Sequence, residues 1–316
     1  MVTLRALGSS GLSVSPFCLG GNVFGWTADE AESFAVLDAY TAAGGNFVDT
    51  ADSYMYHFPG TEAGQSETIL GRWLAARGNR DDVVLATKVG DHPQYKGVAP
   101  ATIKAAVEES LRRLGTDRID LYYVHYDDPE IPVEDIITTL DGLVRDGKVR
   151  AIAASNIEPA RLAESLAFSD REGLARYAVL QPPYNLVSRE TYEDERRGIV
   201  QREGVVCVPY FGLASGFLTG KYRPGQPSPS VRDLPGLAGG FVDTERGLRV
   251  LDAVEDVAKA RGVEMATVAL AWVAQQPTVA APIASARSVE QVPALVAMHD
   301  LHLSGEELAT LTAASD

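Results

Sequence analysis

Four residues that can hold or move a proton stand at or just beyond the ends of apolar segments in the first half of the chain. Asp49 ends one segment, Lys88 ends the next, and His125 ends a third. Tyr54 follows Asp49 in the adjoining polar stretch. Each residue alone has a structural explanation, as a loop cap, an ion-pair partner or a packed ring. Only their convergence on one place would indicate catalysis.

The chemistry these side chains suggest is proton donation by Tyr54. A free phenol has a pKa near 10, which is high for a proton donor at neutral pH. The ammonium of Lys88 is expected to lower that pKa, and the carboxylate of Asp49 to keep Lys88 charged and fixed. His125 could orient a substrate oxygen. Such a set predicts protonation of an oxygen that gains negative charge, as when a hydride reaches a carbonyl carbon.

Eight short apolar segments, alternating with helical ones, must position these side chains. They are 17–19, Phe47–Asp49, 83–88, 119–125, Val149–Ser155, 178–181, 205–210 and 279–284. Continuous apolar runs are typical of parallel strands buried on both faces. The first seven begin about every 30 residues, as βα units with right-handed crossovers do. We therefore predict a single α/β domain over residues 1–316, a (β/α)8 TIM barrel with catalytic residues at its C-terminal strand ends.

Local signals predict the connecting elements. Thr27 and Glu30 have the spacing of a capping box at a helix start. Residues 4–15 predict a β-hairpin before the first barrel strand. The long interval after the seventh strand contains a loop, 221–241, that is rich in Pro, Gly and Ser, which favours a lid or binding loop. Helices are predicted over 101–114, 133–146, 245–260 and 265–275.

The composition excludes several classes of protein. The 316 residues include 28 Lys and Arg against 43 Asp and Glu, a net charge of −15. A chain this acidic is repelled by nucleic acid and by anionic membranes. Two cysteines, Cys18 and Cys207, do not predict a disulfide framework or a zinc site. No apolar run approaches the roughly 18 residues of a membrane span, and no signal peptide is recognisable, so we expect a cytoplasmic enzyme.

The sequence resembles the aldo-keto reductases over nearly its whole length. The matching segments are FVDTADSY (47–54), ATKVG (86–90), DLYYVHYDDP (120–129), GKVRAIAASN (147–156), QPPYNL (181–186) and PYFGLASGFLTGKY (209–222). The chain is most similar to a bacterial oxidoreductase branch that also resembles potassium-channel β-subunits. The resemblance implies a catalytic tetrad of Asp49, Tyr54, Lys88 and His125, with Tyr54 as the acid. Channel β-subunits carry asparagine at the His125 position, so histidine here favours an enzyme.

The resemblance also implies NADPH as the cofactor, bound by four groups of residues. They are Ser155, Asn156, Gln181 and Tyr210 at the nicotinamide; Phe211, Gly212, Leu213, Ser215, Lys221 and Arg232 at the pyrophosphate; Ser285, Arg287 and Gln291 at the 2′-phosphate end; and Gly21 and Asn22 after the first barrel strand. No G-x-G-x-x-G motif supports a Rossmann site. The segment from Gly216 to Lys221 is not a complete P-loop, because Tyr222 replaces the required Ser or Thr.

Two positions depart from the family pattern. Ala294 and Leu295 stand where many members have Glu-Asn to hold the adenine, and Phe211 stands where a serine usually follows the stacking aromatic residue. A helix beginning near Val289 would turn positions 294 and 295 toward the eighth-strand loop. One or two absent hydrogen bonds would then weaken NADPH binding by about 1–2 kcal/mol.

Two other functions remain open beside carbonyl reduction. A lyase or aldolase could use Lys88 as a Schiff-base nucleophile, and a non-catalytic sensor could bind NADPH and report redox state to a partner. The expected mouth of the site is aromatic and suits aldehydes, ketones or sugar-like carbonyls. Its expected residues are Phe24, Trp26, Tyr56, His57, Phe58, Tyr126 and the loop 221–241. The sequence ranks none of these carbonyl classes and leaves the oligomeric state open.

Overall fold

Short strands alternate with longer helices along the chain. The structure, a computed structural model, describes residues 2–225 and 238–316. Its strands are β1 (Arg5–Ala6), β2 (Ser13–Val14), β3 (Cys18–Gly20), β4 (Phe47–Asp49), β5 (Val84–Val89), β6 (Asp91–His92), β7 (Tyr95–Lys96), β8 (Ile119–Val124), β9 (Val149–Ser155), β10 (Tyr177–Gln181), β11 (Val206–Cys207) and β12 (Ile283–Ala284). Its helices are α1 (Glu30–Ala42), α2 (Gln65–Arg77), α3 (Pro100–Leu114), α4 (Val133–Arg145), α5 (Pro159–Glu172), α6 (Glu195–Glu203), α7 (Gly239–Val242), α8 (Glu245–Arg261), α9 (Met265–Ala274), α10 (Val292–Val296) and α11 (Gly305–Ser315). Short 3-10 helices cover Arg80–Asp82, Ala214–Thr219, Val289–Gln291 and Ala297–His299.

Eight of these strands form one parallel sheet, in the order β11-β10-β9-β8-β5-β4-β3-β12. The sheet closes on itself between its two edge strands. The amide of Cys207 donates to the Thr278 carbonyl at 2.8 Å, and the amide of Ala280 donates to the Cys207 carbonyl at 2.8 Å. The amide of Ile283 donates to the Pro209 carbonyl, also at 2.8 Å. This closure confirms the predicted (β/α)8 barrel. The antiparallel pair β1–β2 lies within the predicted hairpin.

The predicted capping box at Thr27 and Glu30 is wrong. The box is formed two residues later, where the Glu32 amide donates to Asp29 Oδ1 at 2.9 Å and the Asp29 amide donates to Glu32 Oε2 at 3.1 Å. Thr27 does not cap α1 because it lies two residues before the N-cap, Asp29, in a turn where its amide donates to the Val23 carbonyl at 3.1 Å. The seventh and eighth strands are also shorter than the predicted 205–210 and 279–284, as their ends run into loops.

Side chains alternate between two cores, and this alternation positions the site. Phe47, Ala86 and Tyr123 belong to the cluster inside the barrel, and Leu7 and Leu12 of the hairpin region join them. Successive inward side chains on a strand are two residues apart. Continuing that period to the strand ends places five polar side chains inside the barrel mouth. They are Asp49, Lys88, His125, Ser155 and Gln181.

Two general features complete the description. Within the described residues, no helix is both long enough and apolar enough to cross a bilayer. Both cysteines are buried and free.

A close approach of two helices generates a stability prediction. Gly71 lies inside α2, and a Cβ added there would be 2.4 Å from the Arg113 carbonyl oxygen and 2.7 Å from the Leu114 carbonyl carbon. These are backbone atoms at the end of α3 and cannot move aside cheaply. We expect Gly71→Ala to lower the free energy of unfolding by about 1–3 kcal/mol, measured by urea denaturation.

Gly142, inside α4, supplies a matched control. A Cβ added there meets no atom within 4 Å, so Gly142→Ala should keep or raise stability, by up to about 1 kcal/mol. Equal changes in the two variants would show that the contact between α2 and α3 leaves room for a methyl group.

Candidate active site

Three of the four predicted catalytic side chains meet at one carboxylate oxygen. The Lys88 ammonium donates to Asp49 Oδ2 at 2.5 Å, to the Thr50 carbonyl at 2.7 Å and to the Tyr54 hydroxyl at 2.5 Å. The Tyr54 hydroxyl donates to the same Asp49 Oδ2 at 2.7 Å. The side chains of Asp49 and Lys88 are each 1% exposed, whereas Tyr54 is partly exposed. The phenol therefore reaches the mouth while its oxygen is held by a buried ion pair.

His125 lies beside this group. Its ring centroid is 6.1 Å from that of Tyr54, with the two rings edge to face. The His125 ring also stacks on the Tyr126 ring, with the centroids 4.6 Å apart. Its backbone carbonyl accepts from Asn156 Nδ2 at 2.9 Å. Burial, and then the charge of Lys88, lower the pKa of His125 well below its usual value. The imidazole is therefore neutral at pH 7 and can donate one hydrogen bond to a substrate oxygen.

The pKa of Tyr54 departs from expectation. We expected this pKa to lie below its ordinary value, and that expectation is wrong: burial and then the charge of Asp49 raise the pKa of Tyr54 well above its ordinary value and outweigh the ammonium of Lys88. The pKa of Lys88 is lowered by burial, while Asp49 opposes that change. Tyr54 is therefore a protonated phenol at neutral pH, already donating to the carboxylate.

The residues predicted for the nicotinamide form one hydrogen-bond network that begins at Asp49. Gln181 Nε2 donates to Asp49 Oδ1 at 2.9 Å, the carboxylate oxygen that the tyrosine leaves free. Ser155 Oγ donates to the Gln181 carbonyl at 2.7 Å. Asn156 Nδ2 donates to Ser155 Oγ at 3.0 Å, and the Tyr210 hydroxyl donates to Asn156 Oδ1 at 3.1 Å. Amide groups and one aromatic ring thus lie next to the acid, a donor set that fits a flat ring carrying a carboxamide.

Apart from Arg232, the residues predicted for the pyrophosphate lie in or next to a strained loop after β11. Positive φ angles occur at three of its non-glycine residues, 67° at Phe211, 48° at Ala214 and 55° at Ser215. Strain of this kind, about 1–3 kcal/mol per residue, clusters at ligand sites. A Cβ added to Gly216 would be 2.9 Å from Lys221 Nζ, so the loop backbone and an ammonium lie together. This combination suits a phosphate anion.

The loop is held by a residue that sequence analysis missed. Buried Asn185 donates from Nδ2 to the Phe211 carbonyl at 2.9 Å, and its Oδ1 accepts from the Val187 amide at 2.8 Å. Gly212 packs closely, since a Cβ there would be 3.2 Å from the Ile283 carbonyl oxygen. Leu213 precedes the 3-10 helix that follows. The signal for Asn185 was present in the segment QPPYNL, but nothing there indicated its partner.

The residues predicted for the 2′-phosphate end are brought together with those after β3. Ser285 Oγ donates to Asn22 Oδ1 at 2.5 Å, and the amide of Gly21 donates to the Asp49 carbonyl at 2.7 Å. Gln291 Oε1 accepts from the Arg287 amide at 3.0 Å. The guanidinium of Arg287 is exposed and forms no ion pair with other described residues. An exposed guanidinium suits a phosphate group.

Four predicted residues need separate comment. Leu295 is 4% exposed and packs in the outer core, because α10 lies against α9, so the expectation that it replaces an adenine contact is wrong. Ala294 is also held against α9, because its carbonyl accepts a hydrogen bond from Thr267 Oγ1 of that helix at 2.6 Å. Phe24, expected at the mouth, is 3% exposed and is a core residue. Arg232 lies outside the described residues.

The mouth itself is aromatic. Trp26 and Phe58 have ring centroids 4.5 Å apart, and Tyr56 and His57 are 3.7 Å apart. Tyr126 is 48% exposed beside His125. A small hairpin, β6–β7, follows Lys88 at this edge and was not predicted, since its two-residue strands have no apolar pattern. Across the described ranges, no group of three or more His, Cys, Asp or Glu side chains could hold a metal ion.

Comparison with known proteins agrees with this geometry. The sequence model of the aldo/keto reductase family matches residues 16–316. The uncharacterized oxidoreductase YrpG of Bacillus subtilis is 34% identical, over 96% of this chain and 93% of its own length. Norsolorinic acid reductase stcV of Emericella nidulans is 32% identical, over 95% and 78%. A probable voltage-gated potassium channel subunit beta of Oryza sativa is 33% identical, over 91% and 88%. Because the family match extends over nearly the whole chain, the protein belongs to the aldo/keto reductase family of oxidoreductases.

Proposed function

We propose that this protein reduces an aldehyde or ketone to an alcohol with NADPH, and that Tyr54 donates the proton. One observation carries the proposal: the Tyr54 hydroxyl and the Lys88 ammonium share Asp49 Oδ2, at 2.7 and 2.5 Å, at the inner end of an open aromatic mouth. A protonated phenol on a fixed cation is what a carbonyl oxygen needs as it gains negative charge.

Each of the four side chains has its own role in the proposed reaction. NADPH, when bound, supplies the hydride. Tyr54 turns its O–H from Asp49 Oδ2 to the carbonyl oxygen and gives up that proton. Lys88, 2.5 Å from the phenol oxygen, stabilises the phenolate that remains. Asp49 keeps Lys88 charged and in place. His125, as a neutral imidazole, donates a hydrogen bond that orients the carbonyl. Among carbonyl compounds, the rings at the mouth favour aromatic substrates over sugars.

NADPH is proposed over NADH because of the basic groups predicted for the adenosine end. The family generally uses a nicotinamide cofactor. Arg287 and Ser285 supply donors suited to a 2′-phosphate, and Lys221 beside the strained loop suits the pyrophosphate. Ser155, Asn156 and Gln181 would hold the carboxamide, and Tyr210 would stack on the ring.

The geometry of Lys88 argues against a Schiff-base enzyme. All three ammonium protons have an acceptor, in Asp49, Thr50 and Tyr54. A nucleophilic amine would have to lose a proton that stabilises this arrangement. The sensor alternative predicts cofactor binding without turnover, and a reductase assay with simple aldehydes distinguishes the two.

Tyr54→Phe tests the proton donor. The change removes the hydroxyl but little volume, so we expect kcat for carbonyl reduction to fall by about 10²–10⁴-fold. NADPH binding, measured by fluorescence titration, should persist. Tyr95→Phe on β7 is the control and should stay near the wild-type rate. A Tyr54→Phe variant with near-normal kcat would contradict the proposal.

The pH profile tests the protonation state. A proton donor works while it holds its proton, so reduction is full below its pKa and is lost as the pH rises through it. Because the pKa of Tyr54 is raised, kcat for reduction should stay level from about pH 6 to about pH 9. Stopped-flow rates in buffers of constant ionic strength measure this. A decline centred near neutral pH would show that Lys88 outweighs burial and Asp49 in setting the pKa of the phenol.

Arg287→Ala tests the choice of cofactor. Loss of charge-assisted bonds to a 2′-phosphate should weaken NADPH binding by about 1.5–3 kcal/mol, roughly tenfold or more in Kd. NADH binding should change little. Arg171→Ala on α5 removes the same charge from the outer surface and serves as the control. Equal losses for NADPH and NADH in Arg287→Ala would place this side chain away from the 2′-phosphate.

A further inference from the structure

The mouth of the site carries a carboxylate that the proposed mechanism does not use. Asp91 begins β6, three residues beyond Lys88, and is partly exposed. Its carboxylate forms no hydrogen bond or ion pair with any other residue in the described parts of the chain. Lys96 is its register partner across the hairpin, yet the two form no ion pair. An unpaired carboxylate next to a substrate opening is available to a ligand.

The backbone fixes Asp91 at the aromatic rim. The preceding residue, Gly90, lies against Tyr126, since a Cβ on Gly90 would be 3.5 Å from the Tyr126 carbonyl oxygen. The charge of Asp91 also reaches two mouth residues. Burial, and then the Asp91 carboxylate, raise the pKa of the Tyr56 and Tyr126 hydroxyls. In sequence, Tyr56 lies two residues after Tyr54, and Tyr126 directly follows His125.

Two lysines have to be considered beside Asp91. Lys88, three residues earlier, is neutralised by Asp49 at 2.5 Å. Lys96, the register partner of Asp91, is exposed and forms no ion pair with it, so solvent screens its charge. Aromatic faces attract cations, and a nearby carboxylate adds Coulomb attraction for a cation and repulsion for an anion. A substrate whose carbonyl lies at Tyr54 would extend its far end across this rim.

We propose that Asp91 selects carbonyl substrates by charge: it favours an aromatic aldehyde or ketone with a cationic group remote from the carbonyl, and it disfavours an anionic one. This inference rests on the proposed carbonyl reduction and adds a substrate class to it.

Three para-substituted benzaldehydes test the proposal. The substituents are trimethylammonium, its neutral isostere tert-butyl, and carboxylate. We expect wild-type kcat/KM to favour the cation over the anion, and Asp91→Asn to reduce that ratio by about 5- to 30-fold. The change should appear in KM, with kcat nearly constant. Comparing ratios between variants cancels the intrinsic reactivity of each aldehyde.

Two further variants separate the local charge from other effects. Asp91→Glu keeps the charge and should keep the preference, even if Asp91→Asn proves poorly folded. Glu306→Gln on α11 removes one exposed charge elsewhere and should leave the ratio unchanged. If it lowers the ratio as much as Asp91→Asn does, the overall charge of −15 causes the preference and the proposal is wrong. Higher salt should shrink a genuine effect.

Direct titration of the three compounds keeps this inference distinct from the proposed function. Binding in the presence of NADP⁺, followed by calorimetry, reports the charge preference without turnover. If no aldehyde is reduced, but the wild-type protein shows a charge preference in binding that Asp91→Asn abolishes, only the proposed reductase activity is contradicted. If all three aldehydes are reduced, and the ratios of their kcat/KM values are identical in wild type and Asp91→Asn, only the proposed role of Asp91 is contradicted.

Discussion

The buried ammonium of Lys88 is the constraint on which the site depends. An ion removed from water costs several kcal/mol unless it is paired and hydrogen-bonded. At 1% exposure, Lys88 meets this condition through Asp49, Thr50 and Tyr54. All three acceptors belong to the short segment 49–54. The bonds that make burial of the charge possible therefore also fix the phenol, so stability and chemistry rest on the same contacts.

The barrel supports this segment from outside as well as inside. Thr87, adjacent to Lys88, points outward and donates to Glu67 at 2.6 Å, and Arg113 pairs with Glu67 at 2.6 Å. These bonds connect β5 to α2 and α3, behind the segment 49–54. Asp52 faces the same layer, where burial and then Glu67 raise its pKa well above the usual value. The inward residues hold the ion pair, and the outward residues hold the backbone that presents it.

The sequence alone predicted the features that depend on local periodicity. It did not predict features that depend on contacts with residues distant in the chain. The two-residue strand period was enough to place Asp49 and Lys88 inside the barrel. The orientation of Leu295 depends on how α10 packs against α9, which no spacing reveals. The pKa of Tyr54 depends on whether Asp49 or Lys88 dominates at atomic distance. Asp91 was missed because a two-residue strand carries no apolar pattern.

The same carboxylate that holds the acid also links it to the predicted cofactor residues. Asp49 uses Oδ2 for Lys88 and Tyr54, and Oδ1 for Gln181 Nε2 at 2.9 Å. A carboxamide bound by Gln181 would therefore act on Asp49 through one side chain. Any change in that bond alters the charge on which the pKa of Tyr54 depends. If Gln181 holds the cofactor as proposed, the position of the cofactor and the proton affinity of Tyr54 would be joined through this single side chain.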